Sequence, residues 1–421
     1  MMTNVRTKTI LVALLALTCQ IVPADAARGQ TSPFADPPQP FKLDRARQVF
    51  VRTWQFIYDH YVDPGFNGLD WTAIRAEYEP KVRAAETHQE FYNLMVEMVG
   101  RLNDGHSVFL PPQQAGALQS YRLGSGAASV TGLAASLRRM PDHSLLVLQV
   151  IPNSKAEAVL RPGDRIVAIE GVHLDREDRA HLLYGQAGAV RIVVQSPKGA
   201  PREVLIERET YSMSVIPPPV VIRRLNGDIG YLAIYDFLSF TTAMRAREAL
   251  LQLLRGGQLN GLIVDVRAND GGIIGQMVDV LALLIDGGSA GSYVGRNGEV
   301  DAYTIPRGRT LRGLDRAPVV VLAGPGTNSA GDIFAAVMQA RGRARVVGMP
   351  TPGNVEMLQA VRLTDGSVLW VAVKRYRDPN GRLLEGQGVQ PDRLVNVEWW
   401  RYALEDDPQV KAALALLAQS Q

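Results

Sequence analysis

Apolar residues recur at helical spacing from about residue 43 to residue 102. Val49, Trp54, Ile57 and Tyr61 mark one stripe, and Phe91, Leu94, Met95, Met98 and Leu102 another. The segment is therefore expected to fold as a small helical cap with these side chains facing its core. From about 120 to 212 the period changes, and short β-rich runs such as 145–150 (LLVLQV) alternate with turns. Beyond about Val215, strand and helix patterns alternate. Residues 230–234, 262–266 and 319–323 read as strands, the last two buried, and 243–254, 276–284 and 329–341 read as helices. This βαβ rhythm predicts a mainly parallel sheet with helices packed on it.

The N-terminus does not read as fold material. Arg6 and Lys8 precede an apolar run over 10–22, broken by Thr18 and Gln20, and Ala24-Asp25-Ala26 follows. A basic start, a short apolar stretch and a small-x-small ending predict a secretory signal peptide cleaved after Ala26. The run is too short to span a bilayer comfortably. The only cysteine, Cys19, lies inside it, so the mature chain would have no thiol for a nucleophile, a metal site or a disulfide. A lipid anchor on Cys19 is the alternative, and Thr18 fits it poorly. Residues 28–40 are Pro-rich and polar, a disordered lead-in.

Composition adds little. A length of 421 residues suggests two or three domains, and 46% hydrophobic with 21% charged residues is ordinary for a soluble protein. The net charge of +3, from 45 basic and 42 acidic residues, provides no electrostatic case for nucleic acid or an anionic membrane. The expected partner is a protein or peptide substrate, with no nucleic acid and no membrane association beyond the export signal; nothing in the sequence sets an oligomeric state. The expected location is outside the cytoplasm, periplasmic or secreted.

Three segments carry candidate chemistry. In 319–334 (VVVLAGPGTNSAGDIF) a buried strand enters a Gly-Pro-Gly turn, and Ser329 stands where a helix opens. Free N–H groups and the helix dipole favour developing negative charge there, although Ser at a helix start is also an ordinary N-cap. In 262–273 (LIVDVRANDGGI) a buried strand ends in a turn with Gly271 and Gly272. Glycines let backbone N–H groups approach an oxygen closely, and the same residues make a plain β-turn. In 102–109 (LNDGHSVF) His106 stands out among the six histidines by its Asn-Asp-Gly setting, which a surface or capping histidine would also fit. No H-E-x-x-H spacing and no P-loop are present, so neither a metal nor a cofactor is expected.

Two resemblances join these segments. Residues 151–158 (IPNSKAEA) and 160–171 (LRPGDRIVAIEG) resemble a PDZ domain, which implies capture of an extended peptide, often its free C-terminus, as an added strand; a β-domain that only spaces other parts is the alternative. Residues 265–272 and 328–333, with the later runs 376–381 (YRDPNG) and 385–392 (EGQGVQPD), resemble the family of carboxyl-terminal processing and tricorn core proteases over about 45–395. The resemblance implies a crotonase-like, ClpP-like α/β core preceded by a helical segment and a PDZ-like domain. The expected organisation is signal peptide 1–26, lead-in 27–41, helical domain 42–118 carrying His106, PDZ-like domain 119–212, catalytic α/β core 213–400 and C-terminal helix 401–421.

By the same resemblance Ser329 matches the nucleophile, and the oxyanion donors would be the amides of Gly271 or Gly272 and of Ala330. The processing proteases place a Lys after a Thr-x-Gly run. The matching run, 348–356 (GMPTPGNVE), has Asn354 there, and an amide is no useful base. Lys374 is a poor match. The other branch uses His with a carboxylate, which points to His106, with an unperturbed pKa suited to taking a serine proton. Glu356 is expected to orient it, with Asp332 and Asp104 as alternatives. The expected activity is a serine-type endopeptidase acting on exported proteins. A peptide-binding scaffold that lost activity with the lysine competes with it, as does a hydrolase of non-peptide acyl substrates.

Overall fold

The computed structural model describes residues 41–104, 106–112, 114–116, 129–176, 179–184, 188–212, 215 and 217–419. The expected signal peptide, nearly all of the lead-in and Cys19 lie outside the described residues. Among those described, no helix is long and apolar enough to cross a membrane.

Three helices open the described chain: α1 (Leu43–His60), α2 (Trp71–Ala84) and α3 (His88–Gly100). Asp70 caps α2 by accepting from the amides of Thr72 and Ala73, and Thr87 caps α3 by accepting from Glu90. Trp54 and Trp71 each donate an indole N–H to the other's carbonyl, at 2.8 and 3.1 Å, which locks α1 to α2. The stripes read from the sequence face this core: Val49, Trp54, Ile57, Tyr61, Phe91, Met95, Met98 and Leu102 are buried, with Leu94 packed at the margin. The chain then turns at His106 and enters a short strand, β1 (Val108–Leu110).

A β-rich unit follows. Its strands are β2 (Ser129–Gly132), β3 (Ala135–Arg139), β4 (Leu145–Val150), β5 (Arg165–Ile169), β6 (Val172–His173), β7 (Gly188–Gln195) and β8 (Arg202–Ser212), with a one-turn helix α4 (Lys155–Val159) after β4. They form a seven-stranded sheet in the order β2-β8-β7-β5-β4-β3, with β6 added on β5. Leu160, Ile166, Ile169, Ile192 and Val194 fill its own core.

The remaining chain builds two sheets. Strands β9 (Val220–Leu225), β10 (Ile229–Ile234), β11 (Gly261–Asp265), β14 (Val319–Ala323), β15 (Ala344–Gly348) and β18 (Arg393–Leu394) form one, ordered β18-β15-β14-β11-β10-β9. All its pairings are parallel except the β9 edge. Alternate residues face opposite sides. Leu232, Ile234, Leu262, Val264, Val319 and Val321 face the layer of α5 (Thr242–Arg255), α6 (Ile274–Ala282) and α7 (Ala330–Ala340). Tyr231, Ala233, Ile263, Val320 and Leu322 meet Val410, Ala413 and Leu417 of α8 (Pro408–Ala418). Burying a side chain such as Val410 or Leu417 contributes roughly 1.5–3 kcal/mol.

The second sheet was not read from the sequence. It is five-stranded, with β1-β17-β12-β13 in order and β16 added on β17, where β12 is Gly288–Gly295, β13 Val300–Ile305, β16 Met357–Arg362 and β17 Val368–Arg377. Because β1 belongs to the helical unit, its antiparallel pairing Val108↔Trp370 and Leu110↔Val368 splices that unit into the C-terminal half of the chain. The amide of Val62 donates to Ala372 O at 2.9 Å, and the Ala372 amide donates to Ser107 Oγ at 3.1 Å. Leu369, Val371 and Ala372 complete the core of the helical unit.

Several contacts join the β-rich unit to the rest. Met140, Leu146 and Trp400 form a buried cluster, with Asp142 accepting from the Trp400 indole. Arg138 donates to Gly326 O at 2.8 Å and forms an ion pair with Asp270. Deeper in the core, Arg267 is almost wholly buried, pairing with Asp265 and Asp407 at 2.6 Å each and donating to Gln409. Its guanidinium also covers the Trp399 ring at 4.1 Å. Asp407 is the N-cap of α8 as well, so Asp407→Ala removes a cap and half of Arg267's compensation. It is expected to cost about 3–5 kcal/mol, read as a lowered urea midpoint, with Asp407→Asn costing less because the cap oxygen remains.

Candidate active site

Ser329 stands at the carboxyl end of β14. The preceding turn is tied down by Thr327, whose hydroxyl donates to Val266 O at 2.9 Å and accepts from the Gly324 amide at 3.0 Å. Ser329 itself has φ 52° and ψ −119°, a conformation that L-residues other than glycine rarely hold and that surrounding structure must enforce. Its amide donates to Asn354 O and its carbonyl accepts from the Ile333 amide, both at 3.0 Å. The side chain makes no capping hydrogen bond to α7, so the hydroxyl is not used as an N-cap.

The turn after β11 locks against this loop. Asn269 donates through Nδ2 to Ile234 O, and its own carbonyl accepts from the Asn328 amide at 2.9 Å. A Cβ on Gly271 would lie 2.5 Å from Ser329 Cβ, at φ +83°, and one on Gly272 would lie 2.4 Å from the Phe237 carbonyl carbon, at φ +135°. Only glycine permits this approach. The amide of Gly271, however, donates to Asn269 Oδ1 at 2.8 Å. Among the described residues the amides of Gly272 and Ala330 have no acceptor. Of the three anticipated donors, Gly271 is therefore turned away, and its part in the geometry is the close contact it allows with Ser329.

His106 is delivered from the other side of the seam. It is 5% exposed and lies in a turn closed by Asp104, whose Oδ1 accepts from the amides of His106 and Ser107 at 2.9 and 2.7 Å. Asp104 Oδ2 accepts from the Ser107 hydroxyl at 2.5 Å. Burial pushes the imidazole pKa down to about 4, opposed by the charge of Asp104 and by the nearby Asn354 carbonyl. That carbonyl is the one that holds the Ser329 amide. The two residues thus have the Asn354 carbonyl as a common neighbour and make no direct bond, and His106 Nε2 is buried with no partner among the described residues. Catalytic hydrogen bonds are often open in unliganded sites.

The carboxylates fall out differently from the expectation. The one whose field reaches the imidazole is Asp104. Glu356 is 6% exposed, with Oε1 3.5 Å from Arg375 Nε and Oε2 unpartnered among the described residues. Burial, with Glu385 and Asp104 nearby, pushes its carboxyl up to about 8, so near neutral pH it is largely protonated and supplies no fixed charge to the ring. Asp332 is wholly buried, accepting from the Gly353 amide at 3.1 Å, with its pKa raised by desolvation to about 7. It clamps α7 to the loop that carries Asn354. Lys374 points elsewhere, 2.8 Å from Asp301.

Sequence reasoning passed over Glu385. Its Oε2 accepts from the Val355 amide at 2.9 Å, and Gly386 donates to Gly353 O at 2.8 Å, so the 385–392 run holds the 353–356 loop in place. The acid inside that glycine-rich run was the available signal. Among the described residues no group of His, Cys, Asp or Glu is arranged to hold a metal ion.

Comparison with known proteins gives a consistent picture. Residues 228–395 match the family described as peptidase family S41, and residues 44–100 match the tricorn protease C1 domain. The chain is 30% identical over 386 residues to a carboxyl-terminal-processing protease of Picosynechococcus sp., covering 89% of this chain and 90% of that one. It is 31% identical over 375 residues to a chloroplastic C-terminal processing peptidase of Tetradesmus obliquus, covering 83% and 77%. Among solved structures, a photosystem II D1 C-terminal processing protease superposes with TM-score 0.61 at 28% identity, covering 87% of this chain and 96% of that one. Mature CPAF with lactacystin, at 13% identity and TM-score 0.58 over 90% and 99%, shares the fold.

The raised Glu356 carboxyl has a thermodynamic consequence. Between about pH 4.5 and 8 the folded state keeps a proton that the unfolded chain releases, so this group lowers stability as pH rises through that window. Glu356→Gln is expected to flatten the fall, gaining stability relative to the parent at pH 8 but not at pH 4, as measured by denaturant midpoints across pH.

Proposed function

Because the chain belongs to peptidase family S41, the serine peptidases that include the carboxyl-terminal-processing proteases, we propose that it hydrolyses peptide bonds of exported proteins by a Ser329–His106 mechanism without a lysine. The observation that carries this reading is the Asn354 carbonyl, which accepts from the Ser329 amide at 3.0 Å and lies near enough to the buried His106 ring to bear on its charge, at the position where a lysine would stand. Its second support is the strained, uncapped conformation of Ser329.

In the proposed reaction Ser329 Oγ attacks the scissile carbonyl while His106 Nε2 takes its proton. Nε2 is the buried ring nitrogen with no partner among the described residues and is assigned as the accepting one, and burial keeps the ring neutral until it accepts. The oxyanion is received by the amides of Gly272 and Ala330, the latter opening α7, at roughly 10²–10³ in rate per donor. His106 returns the proton to the leaving amine, and water then cleaves the acyl-enzyme by the reverse sequence. Asp104 is assigned as the carboxylate that stabilises the imidazolium. Glu356, in its protonated form, lines the cleft beside it.

The β-rich unit is read as the PDZ-like module. β3 closes one edge of its sheet, and an edge strand can accept a peptide as an added strand. Arg138 on that strand reaches Gly326 and Asp270, on the two loops of the site, so a peptide seated there would bear directly on the catalytic turn.

The competing reading is a peptide-binding scaffold without catalysis, favoured by Asn354 standing in place of the lysine. A fluorophosphonate serine-hydrolase probe separates them. Labelling should vanish in Ser329→Ala, fall about 10³-fold or more in His106→Ala and persist in Lys374→Ala; no labelling of the parent would support the scaffold. With the imidazole pKa lowered to about 4, the neutral base is present above that value. The acid limb of kcat/KM is therefore expected well below pH 6.5.

A further inference from the structure

Helices α5, α6 and α7 end on the face of the sheet opposite the catalytic loops. Ser329 opens α7 and Arg341 follows its 11 residues, roughly 16 Å along the axis. The loop 306–317 lies across these carboxyl ends. The Thr310 hydroxyl donates to Ala282 O at 3.2 Å and the Leu311 amide to Leu283 O at 3.0 Å, so the loop backs onto the end of α6. A Cβ on Gly313 would lie 3.2 Å from Leu254 Cδ2, in the last turn of α5. Arg343, just beyond α7, donates to the carbonyls of Leu284, Leu314 and Ala317 and ties the loop to both neighbouring turns.

This face is strongly basic. Arg255, Arg307, Arg309, Arg312, Arg316 and Arg341 are exposed on it. Three carboxylates share the same segments. Asp279 pairs with Arg309 at 2.7 Å, Asp315 lies 4.0 Å from Arg316, and Asp286 accepts from the Gly308 amide at 2.6 Å. Arg255, Arg307, Arg312 and Arg341 make no ion pair among the described residues. Two of them crowd a single turn: a Cβ on Gly287 would lie 3.0 Å from Arg307 Nε, and one on Gly288 would lie 2.8 Å from Arg341 Cζ, at φ +80° and +101°. Adjacent glycines thus make room for two guanidinium groups side by side. Basic residues complement the carboxyl end of a helix, which accounts for Arg255 and Arg341. The four arginines of the loop belong to no helix, and like charges so placed repel one another. The net charge of +3 is a sum over the whole chain and conceals this local excess.

We propose that this face binds the phosphate groups of an anionic lipid surface and holds the protein there peripherally, with the catalytic loops turned away from the lipid. Guanidinium forks match phosphate oxygens in geometry as well as charge. Among the described residues, no exposed large hydrophobic side chain lies in 251–258, 279–288, 306–317 or 339–345. A stable protein partner would call for such apolar anchors, whereas the attraction of arginines to anionic headgroups does not. The proposal is independent of which residue acts as the catalytic base.

The test is cosedimentation of the full chain with vesicles of phosphatidylcholine, alone or mixed with phosphatidylglycerol, at low and at high salt. The parent is expected to prefer the mixed vesicles and to lose that preference at high salt. Whatever the N-terminal segment contributes is common to every variant, so the readout is the difference between parent and variant. Arg307→Ala combined with Arg341→Ala should weaken binding to the mixed vesicles roughly 30-fold, at about fivefold per arginine. Arg312→Glu combined with Arg316→Glu should remove the preference and serves if the first pair does not fold, as read from the urea midpoint. Arg83→Ala, an exposed arginine of α2, should leave binding unchanged. The proposal is overturned if the parent binds both vesicle types equally or if its preference survives both double variants. It is also overturned if the parent binds a polyglutamate peptide more tightly than the mixed vesicles, which would assign the face to an acidic protein.

Discussion

Ala372 accepts a hydrogen bond from Val62 through its carbonyl and gives one to Ser107 through its amide. These two bonds, continued by the pairing of β1 with β17, are the seam on which the site depends. Ser329 and the glycine turn come from the carboxyl ends of β14 and β11, while the His106 imidazole comes from a turn more than two hundred residues earlier. Without the splice the helical cap would still have a core, and so would the parallel sheet, but Ser329 and His106 would belong to separate bodies. The polar bonds fix the register, and Leu369, Val371 and Ala372, buried among the helices, supply the cohesion.

Within that frame His106, Glu356 and Asp332 are buried, and their electrostatics follow from the cost of charge there. Each ionisable group finds a different solution. Arg267 stays charged between Asp265 and Asp407. His106 is driven towards its neutral form, Glu356 and Glu385 towards theirs. Asp104 has hydrogen-bond donors on both oxygens, from the amides of His106 and Ser107 and from the Ser107 hydroxyl. Proximity along the chain to the expected lysine position favoured Glu356 as the partner of the imidazole, but hydrogen-bond supply favours Asp104.

The glycine motif divides in a similar way. The run Asp265 to Gly272 reads as a turn with open amides, and it does approach Ser329 closely. Asn269 nevertheless takes the Gly271 amide for itself. A side-chain oxygen two residues upstream can always compete for such an amide, and which of two adjacent glycines loses depends on the twist of the turn.

Periodicity along the chain was enough to place the helical stripes from Val49 to Leu102 and the buried strands at 262–266 and 319–323, because those patterns record which face of a local element meets a core. Composition and motif spacing marked Ser329, His106 and the two glycines as candidates, since strand–turn–helix transitions carry their own residue signatures. The second sheet was not legible: β1 is three residues long and its partner lies far away in the chain, so no local period announces it. The same holds for the Asn354 carbonyl and for the different surroundings of Asp104 and Glu356. Backbone oxygens have no side-chain signature, and the ionisation of a buried acid depends on neighbours that only folding assembles.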